Sequence, residues 1–139
     1  MKVLGIMGSP RIGGNSDILL DEALAGAKDA GAEVEKIILD KKKISGCKDC
    51  KKCNETGICV IKDDMLQIHK KILDADAIIH SVPVYFWSMT SQMKSCLDRM
   101  TKMRWLGVVM ASAADKEDII KNEKARKQAF ELGKKAATP

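Results

Sequence analysis

The order in which strands and helices alternate constrains this chain more than any other feature. "KVLGIM" (2–7) is a short apolar run that stops at Gly8, Ser9 and Pro10, the way a buried parallel strand ends. Asn15 or Ser16 can then cap a helix whose apolar positions Ile18, Leu19, Ala23, Leu24 and Ala27 recur at three-and-four spacing until Gly31. "EVEKIIL" (33–39) reads as a second strand, and residues 40–62, which carry no regular period, read as an excursion from the fold. "DDMLQIHKKILDA" is helical with a face of Met65, Ile68, Ile72 and Leu73. "DAIIHSV" is a third strand stopped at Pro83, and "MTSQMKSCLDRM" is helical again. "WLGVVMAS" (105–112) predicts a fourth strand and 116–137 a final long helix. Such alternation predicts an α/β fold, a parallel sheet covered by helices on both faces. With no repeat and no linker-like segment, residues 1–139 read as one domain. In sheets of this kind ligands sit at the carboxyl ends of the strands, where strand order reverses, so the loops starting at Gly8 and Pro83 are the first candidates.

Composition narrows the setting. With 45% apolar, 31% charged and only 4% aromatic residues, the chain reads as a soluble globular protein whose core is built from Ile, Leu, Val, Met and Ala. No apolar run approaches the roughly 18 to 20 residues of a membrane span, and "MKVLGIMGSP" lacks the length and cleavage site of a signal peptide. A cytoplasmic protein that does not engage membranes is therefore expected. That setting matters for the cysteines, because cytosolic thiols are kept reduced and a disulfide framework would not persist.

Four of the five cysteines fall in "CKDCKKCNETGIC" (47–59), with spacing C-x2-C-x2-C-x5-C. Cys47, Cys50 and Cys53 can turn their sulfurs toward one small cluster, and Cys59 supplies a fourth ligand. Zinc is the competing reading, although it more often takes two Cys-x-x-Cys pairs separated by a longer stretch. Cys96, beside Met93 and Leu97 in a helical stretch, reads as a buried small apolar residue. Lys41, Lys42, Lys43, Lys48, Lys51 and Lys52 surround the run and carry much of the net charge of +5. No aromatics interleave them, which argues against nucleic-acid binding. Beside an anionic cluster they would offset its charge and steer an acidic electron donor such as a ferredoxin.

"GSPRIGGNS" after the first strand has the parts of an anion site: glycines for close backbone approach, hydroxyls and an amide, the forked cation of Arg11, and a following helix N-terminus. It is neither a Walker loop nor the dinucleotide fingerprint, and an ordinary Gly-rich turn remains the plain alternative. In the second loop Tyr85, Phe86 and Trp87 are consecutive, and consecutive side chains cannot all face one core, which favours a binding role.

"GSPRIGGNSDILL" taken with "PVYFWSMTSQMKSCLDR" (83–99) resembles the flavodoxin-like NADPH-dependent FMN reductase family. With the cysteine run between them, the chain resembles the iron-sulfur flavoproteins of archaea and anaerobes in that family. The resemblance implies a flavodoxin-like three-layer sandwich, FMN as cofactor and a [4Fe-4S] cluster on Cys47, Cys50, Cys53 and Cys59. It gives Ser9, Arg11, Asn15 and Ser16 to the FMN phosphate, and Pro83, Val84, Tyr85, Phe86, Trp87 and Ser88 to the ribityl chain and ring. Electron transfer between cluster and FMN is the implied function, with no protein acid or base required. An NAD(P)H-dependent FMN or quinone reductase with structural zinc, and a metal module without flavin, are the alternatives.

The resemblance leaves out a strand-helix unit that such proteins carry after the helix equivalent to 89–101. A sheet shortened to about four strands is expected, with a homo-oligomer in which a neighbouring subunit completes the flavin site. Ser81 and Val82 precede Pro83 where the family more often has a Gly followed by a hydroxyl residue.

Overall fold

A computed structural model describes residues 1–100 and 118–138. Strand β1 (Lys2–Met7) is followed by α1 (Asn15–Asp29), β2 (Glu33–Ile38), the short α2 (Lys52–Thr56), α3 (Met65–Asp74), β3 (Ala77–Ser81), α4 (Ser91–Leu97) and α5 (Glu123–Ala136), with single 3-10 turns at Leu39–Lys41 and Asp118–Lys121. Among the described residues the sheet has three strands in the order β2-β1-β3, all parallel. This is the opening order of a flavodoxin-like sheet, with strand order reversing beside β1. The fourth strand expected at 105–112 lies outside the described residues.

β1 is central, and its residues divide strictly by parity. Val3 and Met7 point into one core with Leu20, Ala23, Leu24 and Ala27 of α1, Ile79 of β3 and Ala129 and Ala136 of α5. Leu4 and Ile6 point into the other, with Met65, Ile68 and Ile72 of α3 and Met93 and Cys96 of α4. The predicted coverage of both faces follows from this two-residue period. Leu73, expected on the buried face of α3, is instead 65% exposed, because the apolar stripe Met65, Ile68, Ile72 already fills that face.

Two further differences have local causes. Of the final helix expected from 116, residues 116 and 117 lie outside the described residues. From 118 on it is interrupted, because Asn122 leaves helical geometry and its Oδ1 accepts the N–H of Ala125, so a 3-10 turn at Asp118–Lys121 is followed by a newly capped helix. Asn15 is the first residue of α1 rather than its cap; Gly14 takes that position without a side-chain cap bond. The Oδ1 of Asn15 accepts the N–H of Ile119 instead, tying the start of α1 to the turn that precedes α5.

α1 and α5 meet backbone to backbone. A Cβ on Gly133 would fall on the carbonyl oxygen of Ala23, and one on Gly26 on the carbonyl of Phe130. Ala125, Ala129, Gly133 and Ala136 form the buried stripe that permits this approach. Glu22 and Arg126 pair across the same seam, with Arg126 Nε donating to Glu22 at 2.8 Å. Glycine in a helix interior ordinarily costs stability, so Gly133→Ala would be expected to help by about 1 kcal/mol on propensity. Here the overlap with Ala23 outweighs that gain, and we expect Gly133→Ala to destabilise by about 1 to 3 kcal/mol. An equal or raised denaturation midpoint would contradict the seam.

His80 on β3 has neither ring nitrogen hydrogen-bonded among the described residues, and burial pushes its pKa below the ordinary 6.5. The fold thus favours the neutral ring. Above pH 6.5 both states are neutral and the preference has no effect on stability; below it the unfolded chain takes up a proton that the folded chain resists. Stability should fall as pH drops from 6.5 toward the lowered folded value. His80→Leu should flatten that part of the pH dependence of the denaturation midpoint.

Candidate functional site

Three loops leave the same edge of the sheet. Met7, Ile38 and Ser81 are in register, so the chain exits β1, β2 and β3 side by side at their carboxyl ends. The loops after β1 and β3 are bonded to each other. Gly8 N–H donates to the carbonyl of Ser81 at 2.8 Å, Ser81 Oγ donates to the carbonyl of Ser16 at 2.7 Å, and Thr90 Oγ1 donates to the carbonyl of Gly8 at 2.7 Å. Thr90 is buried and also caps α4, its oxygen accepting the N–H of Met93. Gly8 has no room for a side chain, since a Cβ would meet Met93 and Thr90.

The loop from Gly8 to Gly14 brings together the groups expected to form an anion site. Ser9 is buried and its Oγ accepts the N–H of Arg11 at 3.1 Å, while the Arg11 side chain is exposed. Gly13 takes a left-handed conformation, φ 70°, and its N–H donates to Asp17 Oδ2 at 2.8 Å. The carboxylate of Asp17, in the first turn of α1, would repel an anion, but Lys36 pairs with both Asp17 and Asp21. Burial opposes the charge on Lys36, yet the bonds to the two aspartates outweigh it and raise its pKa. Ser9, Arg11 and Ser16 therefore lie around the start of a helix of 15 residues whose capping residue, Gly14, makes no side-chain cap bond. Asn15 is there too, with its oxygen committed to Ile119.

In the second loop Tyr85 and Ser88 form a two-residue antiparallel turn, N–H to carbonyl at 2.8 and 3.0 Å. Phe86 and Trp87 occupy its centre with φ of 50° and 65°. Positive φ at both positions is the type I′ signature, which favours Asn-Gly and strains bulky residues. Both rings are fully exposed, and Val84 and Tyr85 are exposed as well. The aromatics are thus not core residues under a loop. Replacing Phe86-Trp87 by Asn-Gly should stabilise the fold by about 1 to 3 kcal/mol, since a left-handed L-residue costs roughly 1 to 2 kcal/mol. An unchanged or lowered midpoint in chemical denaturation would show that the turn is not strained.

The cysteine loop follows β2. Cys47 and Cys50 are exposed and Cys53 and Cys59 half-buried; Cys53 lies in α2. Asp49 and Lys51 have left-handed backbones, with φ 48° and 60°, and Gly57 ends α2 at φ 71°. Among the described residues no three His, Cys, Asp or Glu side chains are gathered tightly enough to hold a metal ion as they stand. The donor set nevertheless fits a soft metal or cluster: four thiols in thirteen residues, two of which already accept N–H bonds. Asp49 N–H points to Cys47 Sγ and Arg99 Nη2 to Cys59 Sγ, each at 3.4 Å. Cys96 is fully buried in the second core, where burial pushes its thiol up to about 11 against the pull of Arg99.

Sequence reading missed what closes this loop. Asp63 Oδ2 accepts the N–H of Ser45 at 2.8 Å, Asp64 Oδ2 that of Lys43 at 2.8 Å, and Asp63 Oδ1 that of Met65 at 3.1 Å. Arg99 Nη1 donates to Asp63 at 2.7 Å and to the carbonyl of Ser45 at 3.0 Å, and Nη2 to the carbonyl of Ile61 at 3.2 Å. Burial would raise the Asp63 carboxyl, but bonds from Arg99, Ser45 and Met65 hold it below the ordinary range. No local pattern marks Arg99; Thr90, by contrast, stands at an N-cap position that its hydroxyl advertises. A shallow cavity of about 240 Å³ lies between the end of β2 and α3, bordered by Lys41, Lys42 and Asp64 at the stem of the cysteine loop. Its lysines include Lys36 and Lys71, already paired with aspartate and glutamate.

The sequence model of a family described as NADPH-dependent FMN reductase matches residues 1–133. An iron-sulfur flavoprotein of Archaeoglobus fulgidus is 44% identical over 100 residues, covering 72% of this chain and 46% of its own. One from Methanocaldococcus jannaschii is 44% identical over 104 residues, covering 75% of this chain and 54% of its own. The chain thus spans about half the length of the curated relatives it matches. Among solved structures, a flavone reductase superposes with a TM-score of 0.56 at 37% identity, covering 71% of this chain and 29% of that one. An NAD(P)H:quinone oxidoreductase from Methanothermobacter marburgensis superposes at 0.58 with 22% identity over 71% and 52% of the two chains, a likeness of fold. Among the described residues no helix is long and apolar enough to cross a membrane.

Proposed function

The chain belongs to the NADPH-dependent FMN reductase family, and on that footing we propose that it carries electrons between a cysteine-bound iron-sulfur cluster and FMN. The observation that carries this reading is the shared sheet edge: the anion-shaped loop, the aromatic turn and the four-cysteine loop all leave it together. When bound, FMN supplies two-electron and the cluster one-electron chemistry, so the chain itself needs to bind, orient and tune rather than move protons.

Ser9, Arg11, Ser16 and the first N–H groups of α1 would hold the FMN phosphate, with Asn15 positioned beside them through Ile119. Pro83, Val84, Tyr85, Phe86, Trp87 and Ser88 would run along the ribityl chain and ring, and the Tyr85–Ser88 bonds fix the turn that presents them. Cys47, Cys50, Cys53 and Cys59 would hold a [4Fe-4S] cluster. The exposed Lys41, Lys42, Lys43, Lys48, Lys51 and Lys52 would guide an acidic donor such as a ferredoxin. In a homo-oligomer a second copy would cover the exposed Phe86 and Trp87.

The test is anaerobic purification followed by an absorption spectrum and flavin, iron, sulfide and zinc analysis. FMN with about four iron and four sulfide per chain is expected. Flavin with zinc would replace the cluster by a structural metal, and metal without flavin would remove the FMN assignment. Arg11→Ala should weaken FMN about ten- to hundredfold while leaving riboflavin, which lacks the phosphate, nearly unaffected. Equal losses for both flavins would place Arg11 outside the phosphate site.

A further inference from the structure

The Arg99 side chain is 1% exposed, at the end of α4, and reaches four partners in the cysteine loop and its stem: Cys59, Asp63 and the carbonyls of Ser45 and Ile61. Ser45 lies on the entering stem, two residues before Cys47, and Ile61 on the leaving stem, two residues after Cys59. One guanidinium therefore joins both ends of a loop that contributes no residue between Cys47 and Val60 to either core. A lysine has one nitrogen and cannot span the two stems in this way.

Stability does not by itself account for this arrangement. Desolvating an ion pair costs about as much as the pair returns, and well-packed apolar residues often serve as well or better. What an apolar pair could not do is donate to a sulfur and place a fixed positive charge beside it. We propose that Arg99 is a positioning and tuning residue for the metal centre: it seats Cys59 as the preformed corner of the ligand set, and its charge raises the reduction potential of the cluster held there. This rests on the cluster reading given above. Reduction adds a negative charge to an already anionic centre, and a buried cation beside one ligand favours the reduced form. The Asp63 carboxylate tempers the effect without cancelling it, because it is Arg99 that makes the contact to Cys59, at 3.4 Å, through Nη2. Cys47, which takes a backbone N–H from its neighbour Asp49, has no comparable charge donor among the described residues and is exposed.

Two variants separate positioning from charge. Arg99→Lys keeps a positive charge and loses the fork; Arg99→Gln keeps polar bonding and loses the charge. Iron and sulfide per chain, cluster and FMN midpoint potentials, and hydrogen exchange at the Ser45 amide in metal-free protein are measured for each. In Arg99→Gln the cluster potential should move to more negative values while the FMN potential stays put, and Ser45 exchange should quicken about tenfold or more as the clamp opens. Arg99→Lys should quicken exchange likewise but hold the cluster potential near that of the unaltered protein. A folded Arg99→Gln protein with full iron content and an unchanged cluster potential refutes the inference and leaves the cluster reading standing. Unaltered protein free of iron and sulfide refutes both. If Arg99→Gln does not fold, an Arg99→Lys protein whose cluster potential falls as far as that of a solvent-exposed cluster would also overturn the assignment of charge.

Discussion

The hydroxyl of Thr90 holds the working edge of this molecule together. It gives its proton to the carbonyl of Gly8, where β1 ends, and takes the N–H of Met93, where α4 begins, so one buried atom fixes the exits of two loops. Neither group has water as an alternative at that depth, and leaving the Gly8 carbonyl unpaired would cost about 1 to 3 kcal/mol. The Gly8–Ser81 and Ser81–Ser16 bonds extend the same lattice to β3 and the start of α1. Loops anchored this way can display groups that fold stability does not select, because their backbones are already determined at both ends.

The edge is braced from behind. α1 supplies the helix start of the anion-shaped loop, and α1 is pinned by α5 through a contact so close that only glycine fits at Gly26 and Gly133. Through Ile119 the same brace reaches Asn15, the first residue of α1. On the opposite face α3 and α4 perform the corresponding task for the cysteine loop, with Asp63 and Asp64 at the start of α3 and Arg99 after α4. Each chemical loop is thus positioned by the helix that follows it and by a partner from elsewhere in the chain, rather than by packing of its own.

Much of this was legible in the sequence. The alternation of β1, α1, β2, α3, β3 and α4 shows in periodicity, and the loops at Gly8 and Pro83 do reach one edge. What escaped reading was tertiary in origin. Asn15 looks like a cap because its residue type favours that role, but its oxygen is claimed by Ile119, 104 positions away. Asn122 caps α5 inside a run that reads as one helix. Arg99 and Asp63 are ordinary charges in sequence, and only burial makes them a clamp; no spacing rule connects residues 36 positions apart on different elements. The strain at Phe86 and Trp87 is likewise invisible, since nothing local announces a type I′ turn in the absence of Asn or Gly.

That strain constrains what the aromatic turn is for. Two bulky residues in left-handed conformations cost roughly 2 to 4 kcal/mol together, a sizeable part of the 5 to 15 kcal/mol that separates folded from unfolded domains. In this chain the rings return nothing through burial, because both are fully exposed. Covering an aromatic side chain contributes about 1.5 to 3 kcal/mol, so covering both would match or exceed the strain. Pro83 and the Tyr85–Ser88 bonds hold the turn in place beforehand, which spares a ligand or a second copy the entropy of ordering it. A turn that is costly when bare and no longer costly when covered is one whose geometry suits a covered state, and Ser81 and Thr90 tie its loop to the one after β1, the juxtaposition on which the proposed FMN site rests.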